Sequence, residues 1–479
     1  MTKTNQKLND YIEENREELL GILRRLCAVP SVAGEKTGEN APYGEGCRRV
    51  LDEALSIAEE YGFETHDDAG YAMHAQTGQG DELIGVMAHL DVVPAGDAWK
   101  SDPFCLDIRD GRAYARGAVD NKGPAAATLF AMHALDACGV KLSRRVRLIM
   151  GCNEENGMDD LSHYFANNEM PLWGFTPDAQ FPVINCEKHI FHARFKKKID
   201  SMGKIAKIAA GERFNVVPEK AQAILSSPLD EQEEAAVRDY AAKNGVRVDV
   251  TEDSITVYGV AAHASHPETG VNAAAHLVRL IDAARLADDD DASAIARLGK
   301  FLGIECDGVS AIAYLAKRVG LECDGASLGM ACRDEESGAL TCNFGILTYE
   351  NGELCAGFDM RCPVTQRPDD LRARMDRAAK DGGFSMEVAH FDDGILVDKD
   401  AELIRVLLDV YETETGRPGE LLAIGGGTYA RQMPNRAVAF GPCFPEQEDM
   451  CHQRDEYIVV DDLVTVCKIV AQALCRLAG

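Results

Sequence analysis

The chain has 479 residues, 46% hydrophobic and 27% charged, ordinary globular proportions that exclude disorder, collagen or coiled coil as the dominant state. Its net charge of −29 at pH 7 repels phosphate backbones and anionic lipid surfaces, so neither nucleic acid nor a membrane is an expected partner. At roughly 150 residues per domain the length suggests about three units. The 16 cysteines are scattered with no Cys-x-x-Cys pair, and the N-terminus carries no apolar leader. No run of about 18 apolar residues occurs either. Reduced thiols in a cytoplasmic protein are the expected reading.

In chain order, Leu8, Ile12, Leu19, Ile22 and Leu26 recur at helical spacing, which predicts a helix over 8–26 stopped before Pro30. A second helix is expected over 44–61, ending near Gly62, and a buried strand over 83–88. Segments 105–108 and 112–115 flank Asp110-Gly111, a hairpin signal. An Ala-rich helix over 123–138 and a strand over 145–150 follow. The C-terminal part repeats this texture: helix over 401–413, strand over 421–424, Gly425-Gly426-Gly427, strand over 438–440, helix over 461–477. Such alternation argues an α/β fold, a mixed sheet covered by helices. The middle has a different texture, with alternating strands over 254–258 and 354–360 and a helix over 272–286. It reads as an α+β insertion, giving a first domain over 1–187 and 397–479 interrupted by a second domain over 188–396. The acidic run Asp288 to Asp291 reads as a solvated loop.

Five segments place His or carboxylate residues at predicted strand ends, where sites form in open α/β sheets. His89-Leu90-Asp91 offers a ligand and, two residues on, a carboxylate to orient the ring. Asp120-Asn121-Lys122-Gly123 opens the Ala-rich helix, where Asp120 is either an N-cap or a ligand. Glu154 and Glu155 leave a strand in diverging directions, so one can ligate while the other holds a water. Asp178 follows Pro177, as a turn residue or a ligand, and His452 follows Cys451. Gly425-Gly426-Gly427-Thr428 lacks the spacing of a phosphate loop and its following Lys. Together these residues supply a ligand set for two metals sharing one carboxylate, with a spare carboxylate as general base.

Five motifs carry a family resemblance: Gly85-Val86-Met87-Ala88-His89-Leu90-Asp91-Val92-Val93-Pro94, Arg116-Gly117-Ala118-Val119-Asp120-Asn121-Lys122-Gly123, Asn153-Glu154-Glu155, Pro177-Asp178-Ala179 and Met450-Cys451-His452-Gln453. The sequence resembles the co-catalytic di-zinc peptidases that include aminoacylases and carboxypeptidase G, and within them the PepV and Sapep type dipeptidases. The resemblance implies that His89 and Asp178 bind one divalent ion, Glu155 and His452 the other, and that Asp120 bridges both. Zinc is the implied metal, with manganese or cobalt as alternatives of similar ligand preference. It further implies Glu154 as general base, Asp91 as the orienter of His89, and the middle domain as a lid. In that lid Asn215 matches a substrate contact, His263 the oxyanion donor, and Arg361 the ligand of the substrate carboxylate. Gly426, Gly427 and Thr428 match the loop closing around that end. Asn121 stands where PepV-type enzymes often carry a second acid, Cys152 and Cys451 flank site residues, and His266 lies three residues from His263.

The implied activity is hydrolysis of dipeptides or short peptides with a free C-terminal carboxylate. Deacylation of N-acyl amino acids is the alternative within the fold, and a non-catalytic peptide- or metal-binding protein the alternative outside it. A lid of this length is expected to complete its own site, which predicts a monomer. Light scattering should therefore return the mass of one chain, about 52 kDa, whereas twice that mass would contradict the expectation.

Overall fold

The N-terminal amphipathic stretch forms two helices, Lys3–Glu14 and Arg16–Cys27, where the periodicity predicts one. The break is at Asn15, whose side-chain amide donates back to the Tyr11 carbonyl at 2.8 Å and whose φ/ψ of −111/27° leave the helical region. Asn competes with the helix ladder in this way because its short amide reaches local backbone groups. Both helices still present one apolar face, and Leu8, Ile12, Leu19, Leu23 and Leu26 are fully buried.

The computed structural model describes residues 3–287 and 310–479, so the acidic run at 288–291 lies outside the described residues. The chain divides into two units: Met1–Cys186 with Ile395–Leu422 and Gly427–Gly479, and Glu187–Gly394 with Ala423–Gly426.

The first unit is built on a mixed sheet. Its central strands, Arg145–Gly151, Leu83–His89, Trp173–Thr176 and Ala437–Ala439, run parallel to one another, and antiparallel strands extend both sides. Leu83–His89 is buried along its whole length because both sheet faces are covered. Val86 and Ala88 enter the larger core, whereas Met87 faces a smaller one with Ile149, Tyr164, Tyr429 and Met433. A buried side chain the size of Val86, Met87 or Ile149 contributes about 1.5–3 kcal/mol relative to exposure. The helix Lys122–Ala137 is buried on nearly every side, which its alanines permit, and packs against the last helix, Val460–Ala478. The expected hairpin forms between Asp107–Arg109 and Arg112–Tyr114; Asp110 and Gly111 both take positive φ, 51° and 73°, as a tight two-residue hairpin turn requires.

The second unit is an eight-stranded sheet, antiparallel at every described pairing, with its own core. Ser254–Tyr258 and Glu353–Cys362 fall on two of the predicted strands, and Ala273–Ala283 on the predicted helix. No helix among the described residues is long and apolar enough to cross a membrane.

Candidate metal centre

The parallel strands fix where chemistry-bearing side chains gather. Leu83–His89 and Arg145–Gly151 are in register, His89 opposite Gly151, so their C-terminal ends release His89 and the Glu154–Asn156 turn at the same sheet edge. Asp178 leaves the neighbouring strand Trp173–Thr176 at that edge as well. Asp120 lies just before the helix Lys122–Ala137, and His452 lies in the loop before the strand Tyr457–Val459, with φ at 64°. This is the edge at which open parallel sheets form sites.

Asp120 sits between two imidazoles. Its Oδ1 is 2.9 Å from His89 Nε2 and its Oδ2 is 3.1 Å from His452 Nε2. His89 Nε2 is also 3.6 Å from Asp178 Oδ1, and His452 Nε2 is 2.9 Å from Glu155 Oε1. Ligand atoms of His89, Asp120 and Glu155 lie within 4.8 Å of one another, as do those of His89, Glu154 and Asp178. A cavity of about 250 Å³ opens here, lined by Asp120, Glu154, Glu155, Asp178, His452 and Gly427. Imidazole nitrogens and carboxylate oxygens are donors suited to zinc, manganese or cobalt.

Asp91 has two tasks. The His89 ring is held chiefly through its backbone, with Nδ1 3.0 Å from the Asp91 carbonyl and 3.4 Å from the carboxylate. The carboxylate itself accepts the Glu154 and Glu155 amides at 3.3 and 3.2 Å. Asn121 is fully buried and donates to the Pro177 carbonyl (2.7 Å) and Asp178 Oδ1 (3.0 Å), so an amide at this position holds the Asp178 segment. Cys152 is buried, and burial pushes its thiol up; Cys451, a free thiol, is pushed up by its hydrogen bond with the free Cys443 thiol and by burial. Both are therefore poor thiolates.

The electrostatics are those of a cation site. Burial, with the Asp178, Glu155 and Asp120 carboxylates, pushes Glu154 well above the usual carboxylate range. Burial also lifts Asp178, to about 6, against the pull of His89. Hydrogen bonds to Asp120 and Glu155 raise His452 to about 10. Burial opposes charge on His89, yet Asp178, Asp120 and Asp91 hold it well above its ordinary value. Without ions the two rings thus serve as the counter-charges. A histidine raised in the folded state stabilises fully below its unfolded value near 6.5, and the benefit fades as pH rises through the folded value. Metal-free protein should therefore lose stability between about pH 6.5 and 10. Filling both proposed sites with divalent ions at pH 7.5 should release about two protons per chain, one from each imidazole, because ligating imidazoles must be neutral. Calorimetric titration in buffers of different ionisation enthalpy measures that release, and fewer than one proton would contradict the assignment.

The second unit gathers the middle-domain candidates. The Asn215 carbonyl accepts the Ala264 amide at 3.0 Å, and Val216 bridges His263, so Asn215 and His263 are neighbours. His263 Nδ1 is 2.6 Å from Ser265 Oγ, whereas His266 faces Glu268 at 3.3 Å. Arg361 spends Nε and Nη2 on Asp359 (2.7 and 2.8 Å) and Nη1 on the Gly425 carbonyl (2.7 Å), three of its five N–H groups among the described residues. A Cβ on Gly425 would stand 3.1 Å from Ser265 and 3.4 Å from Arg361, which places Gly426 beside this cluster. Thr428, in the first unit, is buried and caps the turn Tyr429–Gln432 through the Ala430 amide.

Three buried groups were not singled out from the sequence. Asp160 accepts the Cys152 and Asn153 amides, both at 2.7 Å, and the Tyr429 hydroxyl. Lys122 donates to the Val29 carbonyl at 2.8 Å. Glu456 pairs with Arg116 at 2.6 Å. No spacing rule marks a lone charged residue as buried; only Glu456 had a hint, four residues after His452.

Residues 85–476 match the sequence profile of Peptidase family M20/M25/M40. The chain belongs to this family. The resemblance read from the five motifs is borne out, and so is the expectation of a metallopeptidase on an α/β fold with an inserted second unit. Among relatives, "Putative dipeptidase YtjP" of Bacillus subtilis (strain 168) is 36% identical over 478 residues, spanning 97% of this chain and 98% of the relative. "Putative dipeptidase SSP1012" of Staphylococcus saprophyticus is 32% identical over 485 residues, with 98% of both chains covered. Among solved structures, the aminoacylhistidine dipeptidase from Vibrio alginolyticus aligns over 96% of both chains with a TM-score of 0.57 at 14% identity, a likeness in fold.

Proposed function

We propose that this M20 peptidase is a metal-dependent dipeptidase that hydrolyses dipeptides or short peptides with a free C-terminal carboxylate. One observation carries the reading: the Asp120 carboxylate faces His89 with one oxygen and His452 with the other, inside a ring of three further carboxylates. His89 and Asp178 would hold one divalent ion, Glu155 and His452 the second, and Asp120 both. Zinc is the proposed metal, with manganese or cobalt as substitutes. The names of the relatives at 36% and 32% identity point to the same substrate class.

Divalent ions bound there would supply Lewis acidity, polarising the scissile carbonyl and lowering the pKa of the attacking water. Glu154 is the proposed acid–base group. Its carboxylate lines the cavity, and its raised pKa suits a group that takes a proton from water and returns it to the leaving amine. Asp91 holds the His89 ring by its carbonyl and the Glu154 backbone by its carboxylate.

The second unit is the proposed lid. The N–H groups of Arg361 not given to Asp359 and Gly425 would clamp the peptide carboxylate, His263 would donate to the developing oxyanion, and Asn215 would contact substrate. Gly426, Gly427 and Thr428 complete the proposed binding loop. The distinguishing test compares kcat/KM for dipeptides and for N-acetyl amino acids. A dipeptidase prefers the former by at least about tenfold, or 1.4 kcal/mol; a preference for acyl amino acids would make the protein a deacylase.

A further inference from the structure

Glu456 lies outside the proposed ligand set, and no contact to the cavity requires it. Its side chain is nevertheless fully buried, and every described partner is a donor. Oε2 accepts Arg116 Nη1 at 2.6 Å and the Gly117 amide at 3.1 Å. Oε1 accepts the Val119 amide at 2.9 Å and the Asp120 amide at 3.2 Å. One carboxylate therefore holds the backbone of the Asp120 segment at three points, including the amide of Asp120 itself. The same chain segment carries His452, four residues earlier. It is tied to the Asp120 side by the Ala115 amide, which donates to the Glu456 carbonyl, and by the pairing of Tyr457–Val459 with Arg112–Tyr114.

We propose that Glu456 is a positioning residue of the metal centre, acting through the backbone to set Asp120 between His89 and His452. The role rests on reading Asp120 as the shared ligand. A bridging carboxylate must present its two oxygens in two fixed directions, so small rotations of its backbone misplace both bonds. The chemistry at position 456 is demanding. Glutamine offers one acceptor oxygen in place of two, and its NH₂ would face donors already in place. Aspartate keeps a counter-charge for Arg116 but is one methylene short of the Val119 and Asp120 amides.

The test uses full-length protein stripped with chelator and titrated with Co²⁺, read by its visible absorption and by competition with a chromophoric chelator. Circular dichroism and the unfolding midpoint of the metal-free protein run alongside. Groups that orient a ligand from behind typically change metal affinity by about 10–100-fold when removed. Glu456→Gln and Glu456→Asp are both expected to remain folded, to bind Co²⁺ about 10–100-fold more weakly, and to change its absorption spectrum. If burial of Arg116 without its partner unfolds Glu456→Gln, the aspartate variant decides alone. Affinity and spectrum within about twofold of the parent in a folded variant would overturn the proposal. Unfolding of both variants would also overturn it, making Glu456 a structural residue. Failure of the parent protein to bind Co²⁺ is a separate outcome: it removes the metal-site reading itself before any variant is compared.

Discussion

Glu154→Gln is expected to lower kcat for dipeptides by about 10²–10⁴-fold, roughly 3–5 kcal/mol of transition-state stabilisation, while leaving metal content and KM nearly unchanged. The substitution keeps size and polarity and removes only the ability to take and return a proton. The Glu154 amide remains bonded to Asp91, so the turn carrying it should hold. The geometry makes this prediction sharp, because the Glu154 carboxylate also lies within ligand distance of His89 and Asp178. If Glu154 were a ligand instead of the base, the glutamine variant would lose an ion together with its activity. Metal analysis beside steady-state kinetics separates the two cases, and full turnover in the variant would remove Glu154 from the chemistry.

Asp120→Asn should have the other large effect. An amide presents one acceptor oxygen where two imidazoles, or two ions, each require one. Affinity for at least one divalent ion should fall by more than about 100-fold, beyond what loss of an orienting group costs. The consequence for stability follows from linkage. Metal at about 100 times its dissociation constant stabilises the parent by about 2.7 kcal/mol, and the variant should lose most of that. The measurement is the shift of the unfolding midpoint on adding zinc or manganese, expected to be several degrees in the parent and less than half as large in Asp120→Asn. Equal shifts in both proteins would contradict the bridging assignment.

The strand-end candidates could be read from the sequence because the chemistry and the sheet share a signal. His89 ends an unbroken apolar run, and Glu154 follows another, so residue type and position point the same way. The alternation of strands and helices likewise marked the sheet of the first unit and the different texture of the second. The break at Asn15 was not legible from period, since both helices keep the same apolar spacing across it; the signal was the amide itself. Nor was the division of the glycine loop, with Ala423–Gly426 grouping with the second unit and Gly427 onward with the first. That division depends on which neighbours the backbone meets, and a run of glycines carries no side chain to announce them. Glu456, Asp160 and Lys122 stayed hidden for a related reason. A charged residue is read as exposed unless its partners are known, and those partners are mainly backbone amides and carbonyls that every sequence possesses.

The most direct test of the central claim is dipeptide hydrolysis by chelator-stripped protein before and after adding back zinc, manganese or cobalt. The account predicts no cleavage without metal and restored cleavage with at least one of these ions, at an occupancy near two per chain. A broad dipeptide panel left intact by protein with two ions demonstrably bound would contradict it.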